Sequence, residues 1–407
     1  MATYELKILN SDDLLSLIAK IGADPRSAAY FLPKREVLSF WIPQVDFRAA
    51  AYLKQEMLAR GGDAIVHRNV IDGRTKRSDV LLIGTEGQYK AIFPKLEAMS
   101  CWGLDTLRKA LYAAFRKSHI AAWDITLPGG RTLGLGKGKT KIMGILNITP
   151  DSFYSDSRLF TADIEEILIR AQKMIDAGAH ILDIGAESTR PGSEPISETE
   201  EKGRLLPVLR ALRKKFPEQV ISVDTYKGNI ARVAAENGAD IINDISGFTL
   251  DSDMLQAVAE TGLPYVLSHI QGTPQTMQSN PFYNNVVEES IDYFEKKLQE
   301  LENVGVSADR VIIDPGIGFG KRLQDNLRIL KSIQSFRSLG RPLLIGHSRK
   351  GFIKNILNKE NPESRLYGTM AVSAYCAGEK VELVRVHDVE ASHDVLEVID
   401  AIREAEL

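Results

Sequence analysis

The sequence predicts an α/β fold, a (β/α)8 TIM barrel preceded by a smaller mixed α/β domain. From about residue 141, eight short apolar runs rich in Ile, Val and Leu alternate with longer stretches of helical periodicity. Strands that are apolar throughout are buried on both faces, which indicates a parallel sheet covered by helices. Eight such units in about 265 residues fit a closed barrel. An open, doubly wound sheet is the alternative topology.

The predicted strands are, in order, KIMGILN, HILDIG, VISVD, DIINDI, PYVLSH, VIIDP, PLLIGHS and LVRVHD. Amphipathic helical stretches separate them. One of these, TADIEEILIRAQKMIDAG, ends at a glycine and has a single apolar face formed by Ile164, Ile167, Leu168, Ala171 and Ile175. YNNVVEESIDYFEKKLQELENVG is a second example.

The sequence predicts that residues 1–125 form a separate accessory domain and that residues 126–407 form the barrel. Strands are expected in REVLSFWIP, DAIVHRNV and SDVLLIGT, and helices around DFRAAAYLKQEMLARGG and QYKAIFPKLEAM. Nothing in this domain indicates chemistry, and a fold alone implies no function. We therefore expect a structural or oligomer-supporting module.

The linker WDITLPGGRTLGLGKGKT predicts a short hairpin that closes the bottom of the barrel. Its GLGKGKT segment resembles a phosphate-binding P-loop, but that motif needs a glycine where Leu133 stands. The segment also leads into a strand, whereas a P-loop leads into a helix. Nucleotide binding is not expected here.

Composition excludes several classes of protein. The 51 basic and 54 acidic residues give a net charge of -3, so no global basic field would hold nucleic acid or an acidic membrane. The two cysteines, Cys101 and Cys376, form no C-x-x-C pair, and so low a count suits a reducing cytoplasm. The N-terminus has no signal-peptide pattern, and no apolar run reaches the roughly 20 residues that a membrane span needs.

Polar side chains end strand after strand. They are Asn147, Asp183 with Glu187, Asp224, Asn243 with Asp244, His269, Asp314, His347 with Ser348, and Arg385 with His387. The carboxyl ends of parallel barrel strands surround one opening, where active sites of this fold lie. A single such residue is readily explained as a helix cap, but so many together indicate a site.

The chemistry of these residues indicates a polar heterocycle with an anion attached. Asp224, Asn243 and Asp314 offer acceptors for a flat edge rich in N–H donors. Four basic residues suit a phosphate or carboxylate, namely Arg190, Lys350, Arg385 and His387. The loops NITPDSFYSDSR and ESTRPGSEPIS each follow a strand and are expected to act as lids.

The barrel, roughly residues 128–405, resembles the dihydropteroate synthases. The matching motifs are MGILNITPDSF, ILDIGAESTRPGS, ISVDT, IINDISG, DPGIGFGK, GHSRKGF and RVHDV. The resemblance implies a transferase of folate biosynthesis, in which the amine of 4-aminobenzoate displaces diphosphate from 6-hydroxymethyl-7,8-dihydropterin diphosphate. It also implies Mg²⁺ as cofactor, sulfonamides as inhibitors and a homodimer.

The resemblance further implies a role for each site residue. Asp314, Asn243 and Asp224 would bind the pterin, and Lys350 would reach its ring oxygen and nitrogen. Asn147, Thr189, Arg385 and His387 would hold the diphosphate, with Mg²⁺ at Asn147. Ser188, Arg190, Pro191 and Phe153 would form the lid over the aminobenzoate. Asp224 would favour a pterin cation during SN1-like loss of diphosphate.

Three positions depart from the family pattern: Ser268 and Ile270 stand where many members have methionine, and Gly351 where some have serine. Ile270 is still expected to pack on the pterin. The N-terminal domain has no pterin-diphosphokinase or aldolase motif. One alternative function is a methyltetrahydrofolate-dependent corrinoid methyltransferase, which would have no use for SRK, RVHD or STRPG. Another is an inactive barrel acting as a scaffold, which the set of basic residues disfavours.

Overall fold

The computed structural model describes residues 14–148 and 160–405. The chain divides into two compact units, one ending at Arg116 and the other spanning Lys117–Arg403; the last residues from Glu404 group with the first unit. Among the described residues, no helix combines the length and apolar character needed to cross a membrane.

The first unit is a three-stranded antiparallel sheet with helices. Its elements are α1 (Leu14–Ile21), α2 (Ala28–Phe31), β1 (Val37–Asp46), α3 (Phe47–Leu58), β2 (Asp63–Val66), β3 (Arg77–Thr85), α4 (Glu86–Ala98) and α5 (Leu104–Ser118), with strand order β1-β3-β2. Asp46 ends β1 and caps α3 by accepting a hydrogen bond from the Arg48 N–H at 2.9 Å. The unit has its own apolar core, which includes the fully buried Leu53, Leu82 and Tyr89.

A hairpin opens the second unit. Strands β4 (Ala122–Thr126) and β5 (Thr132–Gly136) pair antiparallel, with Trp123 opposite Leu135 and Ile125 opposite Leu133. Their apolar side chains pack on the inward-facing residues at the beginnings of the barrel strands, namely Met143, Ile181, Ile241, Val266, Ile312, Leu344 and Leu383. The hairpin therefore closes the barrel bottom, as the sequence predicts.

Eight parallel strands form the barrel. They are β6 (Lys141–Asn147), β7 (Ile181–Gly185), β8 (Val220–Asp224), β9 (Ile241–Asp244), β10 (Tyr265–Ser268), β11 (Val311–Asp314), β12 (Leu344–Ile345) and β13 (Leu383–Val386). Their order is β11-β10-β9-β8-β7-β6-β13-β12, and a bridge between Ile313 and Leu343 joins the two ends. This circuit confirms the TIM barrel and excludes the open sheet.

Helices surround the barrel. They are α6 (Phe160–Asp176), α7 (Glu198–Lys215), α8 (Gly228–Glu236), α9 (Asp253–Thr261), α10 (Val286–Asn303), α11 (Leu323–Lys331), α12 (Gly351–Leu357), α13 (Leu366–Gly378) and α14 (Val389–Glu404). Outward-facing strand residues such as Leu182 and Val223 join the helices in one large core. Because side chains alternate along a strand, the residues that flank each outward-facing residue face the barrel axis.

Candidate active site

An arginine held between two carboxylates lies at the end of the barrel where the strands finish, here called the mouth. Arg385 of β13 donates from Nε to Asp183 Oδ2 and from Nη2 to Asp224 Oδ2, both at 2.6 Å. The Asn243 amide of β9 donates to both oxygens of Asp183 at 3.2–3.3 Å. Four strands thus contribute to one buried polar network.

The charges in this network are strongly perturbed by burial. Burial raises the pKa of Asp224, the Arg385 cation opposes the rise, and the neighbouring Asp183 carboxylate adds to it. Burial alone would lower the pKa of Arg385, but Asp183 and Asp224 together raise it above the ordinary value. Arg385 therefore remains a cation beside carboxylates that lack bulk water.

Several polar atoms near the mouth are buried without a hydrogen-bond partner among the described residues. They include Asp224 Oδ1, Ser222 Oγ and Ser268 Oγ, which lie at inward-facing positions of β8 and β10. An unsatisfied buried polar group costs about 1–3 kcal/mol, so native proteins keep few of them. The unpaired Asp224 oxygen indicates a ligand that carries an N–H donor.

The buried Asp314 at the end of β11 and the half-buried Lys350 at the start of α12 face this network. Asp314 Oδ1 accepts a hydrogen bond from the Gly316 N–H at 2.8 Å, and burial raises the Asp314 pKa while Lys350 opposes the rise. Lys350 Nζ donates to the Ile317 carbonyl at 2.5 Å, and burial lowers its pKa to about 8.

A second lysine, which is buried, supports the loop that follows Asp314. Lys321 Nζ lies 2.9 Å from His269 Nδ1 and donates to the carbonyls of His269 and Phe319, both at 3.1 Å. Burial lowers the pKa of Lys321 to about 7. The pair fixes the 314–321 loop against the end of β10.

His387 marks the expected anion end of the mouth. Its Nδ1 lies 3.0 Å from Ser348 Oγ. Burial lowers the pKa of His387 to about 3, and the cations Arg385, Arg349 and Arg190 contribute to the lowering. The imidazole is therefore neutral, and Arg190 lies near enough to act on it.

The expected lid residues Ser188, Thr189, Arg190 and Pro191 lie in the loop between β7 and α7. Ser193 Oγ donates to the Ser188 carbonyl and, at 2.8 Å, to that of Arg190. The loop also touches the one after β10, because the Gly192 N–H donates to the Pro274 carbonyl at 3.1 Å.

Two further predicted site residues lie at neighbouring strand ends. Asn147 is the half-buried last residue of β6, and Ile270 is buried just after β10. Phe153 falls outside the described residues.

Three polar residues at strand ends do not face the mouth. Asp244 accepts a hydrogen bond from the Tyr265 hydroxyl at 2.6 Å, and His347 Nε2 lies 2.9 Å from Ser373 Oγ on α13. His269 packs against Tyr293 of α10. They lie one residue out of phase with the inward positions, so their side chains point to the helices. The prediction that Asp244, His269 and His347 surround the mouth was therefore wrong.

The network contains residues that the sequence-based site does not assign. Asp183 binds Arg385 directly, and Phe319 lies under Lys350, with 4.3 Å from Nζ to the ring centroid. Asp183 is among the polar residues that the sequence places at the strand ends, but no role is assigned to it there, and strand alternation directs its side chain inward. For Phe319 and Lys321, only the loop conformation brings the side chains to the site.

Among the described residues, no group of three or more His, Cys, Asp or Glu side chains could hold a metal ion.

Comparisons with known proteins place the same region in one family. A model described as pterin binding enzyme matches residues 143–387, from β6 to the end of β13. A dihydropteroate synthase from Synechocystis is 41% identical over 276 residues, which are 68% of this chain and 94% of that protein.

Solved structures give the same match. The Yersinia pestis dihydropteroate synthase in complex with a sulfonamide drug has a TM-score of 0.64 and 36% identity, covering 69% of this chain and 100% of that one. The Xanthomonas albilineans dihydropteroate synthase with 4-aminobenzoic acid has a TM-score of 0.64 and 36% identity, covering 70% and 99%.

Proposed function

The chain belongs to the dihydropteroate synthase family, and from this premise we propose how its residues divide the two substrates between them. The chain is a transferase of folate biosynthesis, which condenses 6-hydroxymethyl-7,8-dihydropterin diphosphate with 4-aminobenzoate to 7,8-dihydropteroate and diphosphate. The observation that carries the residue assignment is the buried carboxylate of Asp224, which shares Arg385 and keeps one oxygen unpaired among the described residues.

The pterin is assigned to the acceptors of the mouth. Asp314 and Asp224 supply carboxylate oxygens for its amino group and ring N–H groups. The Asn243 amide donates its N–H to Asp183, so its oxygen is the group presented to a ligand. Lys350 donates to the ring oxygen and nitrogen. Ile270 supplies an apolar surface for one face of the ring.

The diphosphate is assigned to Asn147, Thr189, Arg385 and His387. Arg385 provides a permanent charge, and the neutral His387 imidazole provides an N–H donor. The amide oxygen of Asn147 is a ligand that Mg²⁺ accepts, and this ion is commonly bound by few protein groups together with substrate phosphates and water. Bound in this way, Mg²⁺ would neutralise charge on the leaving diphosphate.

The 4-aminobenzoate is assigned to the loop after β7 together with Phe153. Ser188, Arg190 and Pro191 would form this side of the pocket. The Arg190 guanidinium suits the benzoate carboxylate. Sulfonamides have a similar size and charge, and we expect them to compete for the same place.

The proposed chemistry is SN1-like. The C–O bond to diphosphate breaks with its electron pair, and the exocyclic carbon of the dihydropterin becomes a cation delocalised into the ring. The Asp224 carboxylate stabilises this cation, while Arg385 stabilises the departing anion. The neutral aromatic amine then forms the C–N bond and releases a proton to solvent. No strong general base is required.

Three further properties are part of this proposal: the location, the assembly and the division into domains. The two cysteines, Cys101 and Cys376, are free thiols, which supports a cytoplasmic location. A homodimer is the expected assembly on the family resemblance. The N-terminal residues 1–125 are proposed to be an accessory domain, and the barrel domain, 126–407, carries the chemistry.

The test is direct. The purified protein is incubated with both substrates and Mg²⁺, and dihydropteroate is detected by mass spectrometry. Omitting Mg²⁺ tests the cofactor. Formation of the product also separates this function from the corrinoid methyltransferase and from an inactive scaffold, neither of which would form it.

A further inference from the structure

A single buried ammonium group joins three acceptors beside the mouth. Lys227 Nζ donates to Glu187 Oε2 and Glu201 Oε2, both at 2.6 Å, and to the Ile196 carbonyl at 2.7 Å. The side chains of Lys227, Glu187 and Glu201 are 11%, 7% and 2% exposed. An ammonium group has three N–H donors, so Lys227 has none left for a ligand.

The three acceptors lie at the base of one loop. Glu187 and Ile196 are its two ends, between β7 and α7, and Glu201 belongs to α7 itself. Lys227 therefore closes the loop of residues 188–195 with one side chain. This loop carries three of the residues assigned to 4-aminobenzoate, Ser188, Arg190 and Pro191, and one assigned to diphosphate, Thr189.

The same cluster connects the loop to the pterin side of the mouth. Thr225 follows Asp224 directly, and its hydroxyl donates to Glu201 Oε1 at 2.8 Å. The Tyr226 hydroxyl donates to Glu187 Oε1 at 2.8 Å. The segment after β8 thus binds both carboxylates through three consecutive residues.

We propose that Lys227 is a positioning residue, which holds the 188–195 loop in the conformation that binds 4-aminobenzoate. This inference rests on the proposed function, since it assumes that the loop forms the 4-aminobenzoate pocket. The alternative is a purely structural ion cluster. That alternative deserves a test, because a buried ion pair is weak evidence for stability and can often be replaced by apolar residues.

Lys227→Met removes the ammonium and keeps an unbranched apolar chain. We expect the KM for 4-aminobenzoate to rise about tenfold or more, as is typical when a supporting contact of a site is lost, while the KM for pterin diphosphate changes less than threefold. Hydrogen exchange of residues 188–197, followed by mass spectrometry, should become faster. A role confined to stability would lower the melting temperature without this split between the two KM values.

Matched variants keep the test decisive. Lys297→Met removes a lysine of similar exposure, paired with Glu300 on α10, and should leave both KM values unchanged. If Lys227→Met does not fold, Glu187→Gln loosens only the first end of the loop and keeps the Lys227–Glu201 pair. It should raise the same KM by a smaller factor.

Three outcomes would overturn the inference: an unchanged KM for 4-aminobenzoate in a folded variant, an increase of the same size in Lys297→Met, or unchanged hydrogen exchange of residues 188–197 in the variants. Hydrogen exchange distinguishes a failure of the positioning role from a failure of the proposed function. A wild-type protein that forms no dihydropteroate would refute the function, whereas unchanged exchange in the 188–197 loop of the variants would refute the positioning role alone.

Discussion

Arg385 is the residue through which the two carboxylates of the mouth are held in one place. It neutralises Asp183 and Asp224, which have no other cation at hydrogen-bond distance among the described residues. Removing one partner of a buried ion pair typically costs about 3–5 kcal/mol, since the remaining charge is left uncompensated. A substitution here therefore tests both stability and binding, and the two must be measured separately.

Arg385→Ala is expected to weaken the binding of diphosphate with Mg²⁺ by about 10- to 150-fold, because a charge-assisted contact contributes ~1.5–3 kcal/mol. Isothermal titration calorimetry on folded protein measures this. The control is Arg232→Ala, which removes an arginine paired with Asp253 and Glu260 away from the mouth. Equal affinity in Arg385→Ala and the wild type would show that Arg385 does not bind diphosphate.

The lowered pKa of Lys350 predicts that kcat/KM decreases on the alkaline side of its pH profile. Its pKa is lowered from 10.5 to about 8 by burial, and kcat/KM reports the ionisations of the free enzyme. We therefore expect kcat/KM for pterin diphosphate to fall as the pH rises through about 8. Lys350→Arg stays charged and should lack this decrease, whereas Lys350→Ala should lose most activity at every pH.

The lowered pKa of Lys350 affects folding stability in the opposite direction to activity. Measuring the two separately therefore distinguishes deprotonation from unfolding. Because the unfolded chain holds the Lys350 proton more tightly, this group makes folding more favourable as the pH rises from about 8 to 10.5. A loss of activity in this range that tracked unfolding, rather than deprotonation, would contradict the assignment.

For individual residues, the sequence predicted which residue types lie at the strand ends better than it predicted which side chains face the barrel axis. Asp224, Asn243, Asp314 and Arg385 face inward in the structure, as expected from their strands. His347 does not, because one residue along a strand reverses the side chain. The loop contacts of Lys350 depend on backbone turns that no short motif specifies.

At the scale of the element, apolar runs predicted the barrel strands well because burial on both faces leaves a strong signal. Their ends were less predictable: PLLIGHS contributes only Leu344 and Ile345 to β12. The helix α5 lies outside the predicted elements, and only Leu104, Leu111 and Phe115 of its residues are buried. GLGKGKT forms the end of β5 and a turn into β6, in agreement with its rejection as a P-loop.

The loop after β7 leads to a prediction on the order of binding. Thr189 is assigned to diphosphate and the adjacent Arg190 to 4-aminobenzoate, so the first ligand should order the pocket for the second. Binding of 4-aminobenzoate is expected to require Mg²⁺-diphosphate, and sulfonamides should compete with it. Titration with and without diphosphate measures this. Full affinity of the ligand-free protein for 4-aminobenzoate would contradict the prediction.

At the scale of the whole molecule, the two units have separate apolar cores. The predicted site residues that the structure describes all belong to the second unit, from Asn147 onward. A chain that begins near Trp123 keeps the hairpin and all eight barrel strands. We expect it to fold and to retain turnover per site within a few-fold of the full chain, in keeping with an accessory role for the first unit.

Circular dichroism and steady-state kinetics on both chain lengths test this. Aggregation of the shorter chain would indicate that apolar surface had become exposed, a defect of solubility and not of chemistry. Soluble, folded protein with turnover reduced a hundredfold would instead assign a catalytic contribution to the N-terminal residues.

The β4–β5 hairpin also determines the route by which ligands reach and leave the site. With Trp123, Ile125 and Leu135 packed into the lower end of the barrel, reactants and products must use the end where the strands finish. On the proposed assignment, the pterin would bind to the acceptors nearest the barrel axis and enter first, and 4-aminobenzoate would enter above it. If the loop after β7 covers the site as proposed, the joined product would leave only when this loop moves aside, and until then it would block the binding of a fresh pterin.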